Sequence, residues 1–431
     1  MVVSGVIASV LVVMVVSARQ ILASEDSLAT RPPKVICHYT DIAFVGKGPL
    51  QVGPEELIPA LDKCTHLVYQ YAQISKDFEI EALRPDISTE SGANLFRKIT
   101  DLKQTFPKLK VLISLAGADS VESQQRYIDV LREDSHQEKL VASVLPFLKK
   151  YNFDGINMAW VFPPRPDEVD KVKYQGGPPV VHDIDPEGTR VAFGGLVQRL
   201  ADILKPENFI TVVTVIPHVN YIVYYDIPTL SHAADMIIVE SHDFPSPSSK
   251  YDLEDPSVPI YYVANKNEVS DIEKKIRYFL EKGADAAKLI ISASSYGSWA
   301  LVKKSDLDDS PTKPKQAVGG IVFYFEVCSQ IKALSHPAHP PGEFLEKLNF
   351  NLGPRYFKES SNAEETRNQL KDDHAIWLAY EDTQSVAYKT AFAKRAGLGG
   401  VALNALMFDD TRGVCSGVKY PLLETIATSW K

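Results

Sequence analysis

Residues 153–161 carry the sequence Phe-Asp-Gly-Ile-Asn-Met-Ala-Trp-Val, which predicts a β-strand entered through Asp-Gly. Side chains of a strand point alternately to its two faces, so Asn157, Ala159 and Val161 share one face. That face carries an amide, a methyl group and an isopropyl group, and none of these acts as an acid at neutral pH. The strand therefore presents a face without carboxylates.

Seven further apolar segments rich in β-branched residues accompany this strand, and amphipathic helical patterns lie between them. The predicted strands are residues 35–39, 67–72, 110–115, 155–162, 210–217, 236–240, 289–294 and 400–406. The clearest predicted helices are residues 94–105, 137–151, 192–204, 268–281 and 384–396. Several strands are almost continuously apolar, as expected in a parallel sheet buried on both faces. The alternation predicts an α/β fold, a (β/α)8 TIM barrel, with functional residues at the carboxyl ends of its strands.

A long interval interrupts this alternation near the end of the chain. Residues 298–376 are far too many for a loop between a strand and its helix, and they contain strand-like segments at 319–326 and 375–380. We therefore predict a small α+β domain inserted between the seventh strand and its helix. It divides the barrel into residues 24–297 and residues 377–431.

The amino-terminal residues predict a secretory signal peptide. Residues 6–16 form an unbroken run of small and apolar residues, shorter than the ~20 residues that span a bilayer. Small residues follow at 17–18 and 23–24, so we expect residues 1–23 to be removed by cleavage near 18 or 23. An uncleaved anchor is the alternative, because no basic residue precedes the run. We expect a secreted, extracellular protein with no membrane span in its mature form.

Composition narrows the classes of partner. The formal net charge of −9 argues against nucleic-acid binding, which requires a basic surface. The histidines show no metal-ligand spacing, so neither a metal nor a cofactor is expected. Four cysteines, an even number, favour disulfide bonds in a secreted chain, with three pairings open. They are Cys37, Cys64, Cys328 and Cys415.

Four groups of segments carry a family resemblance, among them Phe-Asp-Gly at 153–155 and Asp-Asp-Thr-Arg-Gly at 409–413. The full set is residues 35–39 and 64–69; 153–155 and 161–163; 217–220, 225–228 and 241–244; and 399–403, 409–413, 415–417 and 419–421. In this order and spacing the chain resembles glycoside hydrolase family 18, the chitinase family. It is most similar to the catalytically silent chitinase-like branch that includes the imaginal disc growth factors. The resemblance pairs Cys37 with Cys64 and Cys328 with Cys415.

Active members of the family that the chain resembles carry Asp-Gly-x-Asp-x-Asp-x-Glu on the strand at 153–161. Their Glu protonates the glycosidic oxygen, and the Asp two residues earlier orients the N-acetyl group that attacks the anomeric carbon. The resemblance places Asn157, Ala159 and Val161 at the last three carboxylate positions. Loss of general acid catalysis alone lowers a rate by roughly 10²–10⁴-fold, so the resemblance implies a protein without hydrolase activity.

Other positions of the family's pocket are changed as well. Its sixth-strand Met-x-Tyr-Asp corresponds to residues 240–243, which keep only the final Asp. Its eighth-strand Trp corresponds to Asn404, which offers no flat apolar face to a sugar ring. The residues that the sequence places in a candidate ligand cleft are Tyr39, Tyr71, Glu240, His242, Asp243, Tyr296, Trp299 and Asn404.

The sequence leaves several functions open. The resemblance implies a secreted chitinase-like protein without hydrolase activity, in a growth-factor-like or chitin-associated role. One alternative is a lectin that binds chitin oligomers or another glycan along the aromatic side chains, and another is a weak glycosidase using Glu240 as a relocated acid. A third is a scaffold for an extracellular or cell-surface protein. It would use the long Pro/Gly-containing loop predicted at 163–189, over the ligand-binding end.

Overall fold

The computed structural model describes residues 32–116, 121–162, 183–217, 221–242, 269–303, 319–328 and 374–431. The strands are β1 (Lys34–Thr40), β2 (His66–Ile74), β3 (Ile80–Ala82), β4 (Lys110–Leu115), β5 (Gly155–Met158), β6 (Ile210–Val215), β7 (Met236–Val239), β8 (Leu289–Ser294), β9 (Tyr296–Lys303), β10 (Gly319–Phe323), β11 (His374–Ala379) and β12 (Gly400–Asn404). The helices are α1 (Ile42–Val45), α2 (Pro54–Leu61), α3 (Pro85–Ser88), α4 (Leu95–Thr100), α5 (Val121–Arg132), α6 (Asp134–Tyr151), α7 (Pro186–Leu204), α8 (Ile227–Ala233), α9 (Val269–Glu281), α10 (Thr383–Arg395) and α11 (Pro421–Ser429). Within these ranges no helix is long and apolar enough to cross a bilayer. The predicted signal peptide, residues 1–23, lies outside the described residues.

Eight parallel strands form a closed barrel in the order β1-β2-β4-β5-β6-β7-β8-β12. β12 pairs with β1, where Val401 lies opposite Val35, and β1 pairs with β2, where Cys37 lies opposite Leu67. β3 adds to β2 as a short antiparallel strand. Parallel neighbours need long crossover connections, and helices supply them between successive strands. The predicted (β/α)8 TIM barrel is confirmed.

Side-chain alternation divides the apolar core into an inner and an outer part. The inner cluster fills the barrel with Ile36, Val68, Leu112, Val212, Met236, Ile238, Ile290 and Ala402. The larger outer cluster lies between the strands and the helices. There Trp160 packs against Tyr127 of α5 and Phe193 of α7, with ring centroids 4.6 and 5.3 Å away. Trp160 therefore lies beneath helices rather than at the barrel mouth, as its strand phase predicts.

Helix α7 begins at Pro186, inside the loop that the sequence predicted to extend to residue 189. The side chain of Asp185 accepts a hydrogen bond from the Gly188 amide at 3.0 Å, which caps the first turn. The fixed φ of Pro186 suits the first helical position. Residues 163–182 of the predicted loop lie outside the described residues.

A three-stranded antiparallel sheet follows the seventh barrel strand, β8, and its order is β10-β9-β11. β10 and β11 correspond to the strands predicted at 319–326 and 375–380. Helix α10 then returns the chain to the barrel. The boundaries of the inserted domain, 298–376, stay a prediction, because residues 304–318 and 329–373 lie outside the described residues.

Two disulfide bonds fasten parts of the chain that are distant in sequence. Cys37 of β1 is bonded to Cys64, before β2, with Cα atoms 5.9 Å apart. Cys328, after β10, is bonded to Cys415, in the segment after β12, with Cα atoms 5.6 Å apart. Both distances suit a disulfide, and both pairings implied by the family resemblance are confirmed. The second bond ties the inserted segment to the barrel.

Candidate functional site

Polar side chains occupy the barrel interior above its apolar inner cluster, near the carboxyl ends of the strands. On β1, for example, His38 lies two positions after Ile36 and therefore points to the same side. We call this set the polar layer, and its members are His38, Gln70, Ser114, Asn157, Thr214, His242, Ser292 and Asn404. Asn404 is half-buried and the others are buried. Buried polar groups need hydrogen-bond partners, and these side chains bond to one another and, through Ser292, to the backbone of β7 and the residues after it.

Asn157 is held on both sides by neighbouring strands. Its Nδ2 donates to Ser114 Oγ at 3.1 Å, and its Oδ1 accepts from Thr214 Oγ1 at 2.9 Å. The side chain is fully buried. Asn157 therefore links β4, β5 and β6 through its side chain. Neither Asn157 nor its partners Ser114 and Thr214 carry a charge at neutral pH.

The two positions that follow on the same face carry only hydrocarbon. The chain stays paired with β4 beyond β5, since the Ala159 amide donates to the Leu115 carbonyl at 3.1 Å. Ala159 is half-buried, and Val161 is 40% exposed. At this part of the barrel mouth a ligand would meet a methyl and an isopropyl group rather than an acid.

His242 is a neutral member of the polar layer. Its Nε2 accepts from Asn404 Nδ2 at 3.1 Å, so its Nδ1 carries the proton and donates to Ser292 Oγ at 2.5 Å. Burial lowers the pKa of His242 to about 3, and the nearby charge of Lys389 lowers it further. At neutral pH the ring is therefore a fixed hydrogen-bonding bridge between strands and not a proton donor of imidazolium strength.

His38, on β1, is also a neutral member of the polar layer. Its Nδ1 accepts from Gln70 Nε2 at 3.0 Å. Burial lowers the pKa of His38 to about 3, and the neighbouring His242 contributes in the same direction. Two adjacent histidines are thus kept uncharged inside one barrel.

A buried ion pair supports this side of the polar layer. Lys389 Nζ lies 2.5 Å from Glu381 Oε1 and donates to the carbonyl oxygens of Ser241 at 2.7 Å and Ser292 at 3.1 Å. The other oxygen of Glu381 accepts from the Ser294 amide at 2.5 Å. Burial raises the pKa of Glu381, while Lys389 opposes that shift. The pair therefore fastens α10 to the ends of β7 and β8.

Sequence reasoning did not find this pair, although a signal was present. On α10 the buried positions include Val386, Lys389, Thr390 and Ala393, which recur at helical spacing. A lysine in such an apolar stripe needs a buried partner, and Glu381 supplies it.

A row of aromatic rings borders the mouth beside β8 and β12. The ring of Tyr296 meets His242 and Phe408 edge-on, with centroids 5.8 and 6.2 Å apart. Phe408 stacks on Phe323 of β10 at 4.1 Å. Tyr296, Phe323 and Phe408 are all half-buried, so part of each side chain stays accessible. Phe323 and Phe408 were not predicted, because their meeting depends on how the insertion folds back.

The sequence profile of glycosyl hydrolases family 18 matches residues 34–409. The chain belongs to this family. It is 30% identical over 418 residues to Bacteria-responsive protein 1 of Aedes aegypti, covering 92% of this chain and 94% of that protein. It is 29% identical over 440 residues to Imaginal disk growth factor 6 of Drosophila melanogaster, covering 94% and 95%. These relatives confirm the predicted resemblance to family 18 and to the imaginal disc growth factors.

Solved structures share the family 18 fold. Catalytic domain 2 of the Ostrinia furnacalis Group II chitinase superposes with a TM-score of 0.69 at 22% identity, covering 92% of this chain and 96% of that one. Human YKL-39, a pseudo-chitinase with retained chitooligosaccharide binding properties, superposes with a TM-score of 0.65 at 20% identity, covering 92% and 99%. At these identities the likeness shows the fold alone.

The family 18 barrel brings together only some of the residues predicted to form a ligand cleft. His242, Asn404 and Tyr296 lie together at the mouth. Tyr39 lies elsewhere: it is fully buried in the outer core, where its hydroxyl donates to the Val52 carbonyl at 2.8 Å. Its position on β1 has the outward phase of Cys37, so its ring does not line the mouth.

The structure describes only two of the remaining predicted cleft residues, Tyr71 and Glu240, in full. Tyr71 is half-buried where the register between β2 and β4 shifts. Glu240 is half-buried at the end of β7. Burial raises the pKa of the Tyr225 hydroxyl, and the charge of Glu240 adds to this shift. Asp243 and the side chain of Trp299 lie outside what the structure describes.

One group of potential metal ligands occurs among the described residues. Donor atoms of Cys328, Asp410 and Cys415 lie within 4.8 Å of one another. Both cysteines are in a disulfide bond, and the Asp410 carboxylate accepts from the amides of Val414 and Cys415 at 2.9 and 2.7 Å. Because these atoms are already engaged, the group does not fit a metal ion.

Proposed function

We propose that this family 18 member is a secreted chitinase-like protein that does not hydrolyse glycosidic bonds. One observation carries the proposal: the strand face at Asn157, Ala159 and Val161 holds no group that can protonate a leaving oxygen. The neighbouring polar layer supports it, since both of its histidines are neutral and engaged in hydrogen bonds. Relatives named as imaginal disc growth factors agree with a role other than hydrolysis.

The alternative hypothesis is a glycosidase whose general acid is Glu240, the half-buried carboxylate at the end of β7. The test is turnover of N-acetylglucosamine oligomers by the purified chain, measured by product analysis, with an active family 18 chitinase as positive control. We expect no product above the buffer rate. Turnover that disappears in Glu240→Gln would overturn the proposal and establish the relocated acid.

A second candidate, glycan binding, is favoured by the aromatic row Tyr296–Phe408–Phe323. Sugar rings stack on such flat apolar faces, and human YKL-39 retains chitooligosaccharide binding. Binding without cleavage would suit a chitin-associated lectin. Opposing it, Asn404 stands where the family's Trp would support the sugar, and its amide is bonded to His242.

Calorimetric titration with a pentamer of N-acetylglucosamine tests this second candidate. A site on the row predicts saturable binding that weakens at least tenfold in Tyr296→Ala and in Phe408→Ala. Tyr388→Ala on α10, which removes a 46% exposed ring elsewhere, is the matched control and should bind normally. Binding that survives both row variants would place any glycan site elsewhere, as would loss confined to Trp299→Ala.

A growth-factor-like role is the third element of the proposal, and it rests on the names of the relatives and on the predicted signal peptide. It requires the chain in the extracellular medium. Expression with the native amino terminus, followed by mass spectrometry of the medium, should find a chain that begins near residue 18 or 23. Retention of the complete amino terminus in the membrane fraction would contradict secretion.

A further inference from the structure

Two adjacent carboxylates are buried in the segment that follows β12, where Asp409 is 0% and Asp410 is 1% exposed. Oδ1 of Asp409 accepts from the Asp410 amide at 2.8 Å. Its Oδ2 accepts from the amides of Leu422 and Leu423, each at 3.2 Å. Both of these amides lie in the first turn of α11, where backbone amides have no partner within the helix. Asp409 therefore ties the start of α11 to the segment after β12.

Tyr420, the residue before α11, makes a second attachment. Its amide donates to the Asp410 carbonyl at 2.8 Å, and its hydroxyl donates to the Glu56 carbonyl of α2 at 2.7 Å. Tyr420 is buried with φ +54°, a backbone conformation that costs energy in a residue other than glycine. Such strain persists only while surrounding contacts hold it. We call Asp409, Tyr420 and the first turn of α11 the α11 latch.

The titratable groups beside Asp409 belong to the segment after β12, to the residue before α11 and to the segment after β10; they are Asp410, Tyr420 and Tyr324. Burial raises the pKa of both tyrosine hydroxyls, and the charge of Asp409 adds to this shift. Both phenols therefore stay protonated near neutral pH. On α11 itself, Glu424 lies 3.4 Å from Lys63 at the surface. Among these groups only Asp409 changes its charge close to neutral pH.

The ionised form of Asp409 is unfavourable while the latch is closed. Burial raises the pKa of Asp409 to about 7, and the charge of Asp410 adds to this shift, whereas the bonded amides oppose it. An aspartate in water titrates near 3.8. Between these two values the closed latch binds a proton that an open, hydrated latch does not bind. Opening of α11 therefore becomes about tenfold easier per pH unit as the pH rises towards 7, and changes no further above it.

We propose that Asp409 makes the attachment of α11 depend on pH, so that the helix is held firmly in a mildly acidic medium and opens more often in a neutral one. A protonated carboxyl group keeps an oxygen that accepts from the amides of α11, without a buried charge. Opening would expose Leu422, Leu423 and Ile426, which are fully buried. The latch is separate from the strand face at 157–161, so the proposal does not depend on whether the barrel cleaves glycosides.

Hydrogen exchange of the full chain, followed by mass spectrometry of its peptides between pH 5 and 8, measures this opening. After correction for the intrinsic pH dependence of exchange, the opening constant of α11 should rise about tenfold per pH unit up to pH 7 and then level off. Asp409→Asn should remove this rise, because an amide does not titrate. Asp185→Asn, at the exposed carboxylate that caps α7, is the matched control and should keep the wild-type profile.

The direction of the change separates the latch from the buried histidines. Burial lowers the pKa of His38 and His242, so their effect on the whole chain is to make opening easier as the pH falls. Peptides from α7 in the same samples report this global effect. The proposal is overturned if opening of α11 does not rise with pH, if it follows α7, or if Asp409→Asn keeps the wild-type slope. Thermal unfolding checks that each variant folds, and the wild-type profile alone decides the matter should Asp409→Asn not fold.

Discussion

Asn157 has a structural role at a position where the resemblance places a carboxylate in active family members. Its amide accepts from Thr214 and donates to Ser114, so it joins three strands without needing a charge. A carboxylate at this position could only accept hydrogen bonds, and its own charge would be buried. The neutral amide therefore satisfies its hydrogen bonds within the barrel interior without burying a charge.

The buried histidines predict a specific loss of stability in acid. The pKa of His242 is about 3 in the folded chain, whereas an unfolded histidine titrates near 6.5. Below pH 6.5 the histidine ring is protonated in the unfolded state but stays neutral in the folded state. The free energy of unfolding therefore falls as the pH falls from 6.5 towards 3. The loss approaches about 1.4 kcal/mol per pH unit for each such histidine.

Urea unfolding at a series of pH values measures this effect. His242→Gln should flatten the pH dependence between 6.5 and 4 by close to one proton, and His38→Gln should act likewise. The exposed His232 on α8 supplies the control variant His232→Gln, which should leave the slope unchanged. Equal slopes in all three variants would show that the two buried rings do not govern acid stability.

Lys389 predicts a second effect at the scale of single residues. Lys389→Met leaves Glu381 buried without its cation, which we expect to cost about 3–5 kcal/mol of unfolding free energy. Lys394→Met, at an exposed lysine of the same helix, should cost under about 0.5 kcal/mol. Guanidinium unfolding of both variants gives the comparison, and similar losses in the two would disprove the role of the ion pair.

At the scale of elements, the sequence predicted the barrel strands because their apolar runs are short, separated and regularly spaced. β4 and β8 have the predicted bounds, whereas β5 ends at Met158, before the predicted limit of 162. Residues 159–162 continue the apolar pattern, so the pattern could not show where strand pairing ends. The end of β5 depends on its pairing with the neighbouring strand β6. The sequence of residues 155–162 does not encode the position of that strand.

The structure corrects the predicted orientation of Tyr39 on β1. Both of its faces are buried, since Ile36 points inward while Cys37 and Tyr39 lie in the outer core. His38 and Thr40 share the inward face with Ile36, so the alternation of polar residues places Tyr39 on the other face. Tyr39 was predicted to line the cleft because both faces of the strand also carry buried side chains, yet its ring lies in the outer core and its hydroxyl donates to the Val52 carbonyl.

The two disulfide bonds give a prediction at the same scale. The Cys328–Cys415 bond spans 87 residues and the Cys37–Cys64 bond spans 27. In the chain-entropy model each stabilises by about 2–5 kcal/mol, and the longer loop gains roughly 1 kcal/mol more. Replacing both cysteines of each bond by serine, followed by thermal unfolding, should therefore destabilise the chain more for the longer loop. A larger loss for the shorter bond would show that the unfolded-state model fails here.

At the scale of the whole molecule, the differences from active family members that the resemblance implies lie on several strands at once. The face without carboxylates lies on β5 and the residues that follow it, and Asn157 is hydrogen-bonded to β4 and β6. The hydrogen bonds of His242 and Asn404 involve the ends of β7, β8 and β12. The buried polar side chains at these positions are hydrogen-bonded to side chains of neighbouring strands. If the chain does not hydrolyse glycosides, as proposed, no single strand accounts for that property.

This distribution predicts that restoring the carboxylates will not restore the activity. The double variant Ala159→Asp, Val161→Glu returns the acid and the orienting group, but Asn157 remains bonded to Ser114 and Thr214, and Asn404 still cannot support a sugar ring. We expect turnover of N-acetylglucosamine oligomers to stay at the buffer rate while thermal unfolding shows a folded chain. The uncharged variant Ala159→Asn, Val161→Gln is the matched control. Turnover clearly above that of the control would mean that the other strands do not limit catalysis, and that the missing carboxylates alone would account for the proposed lack of activity.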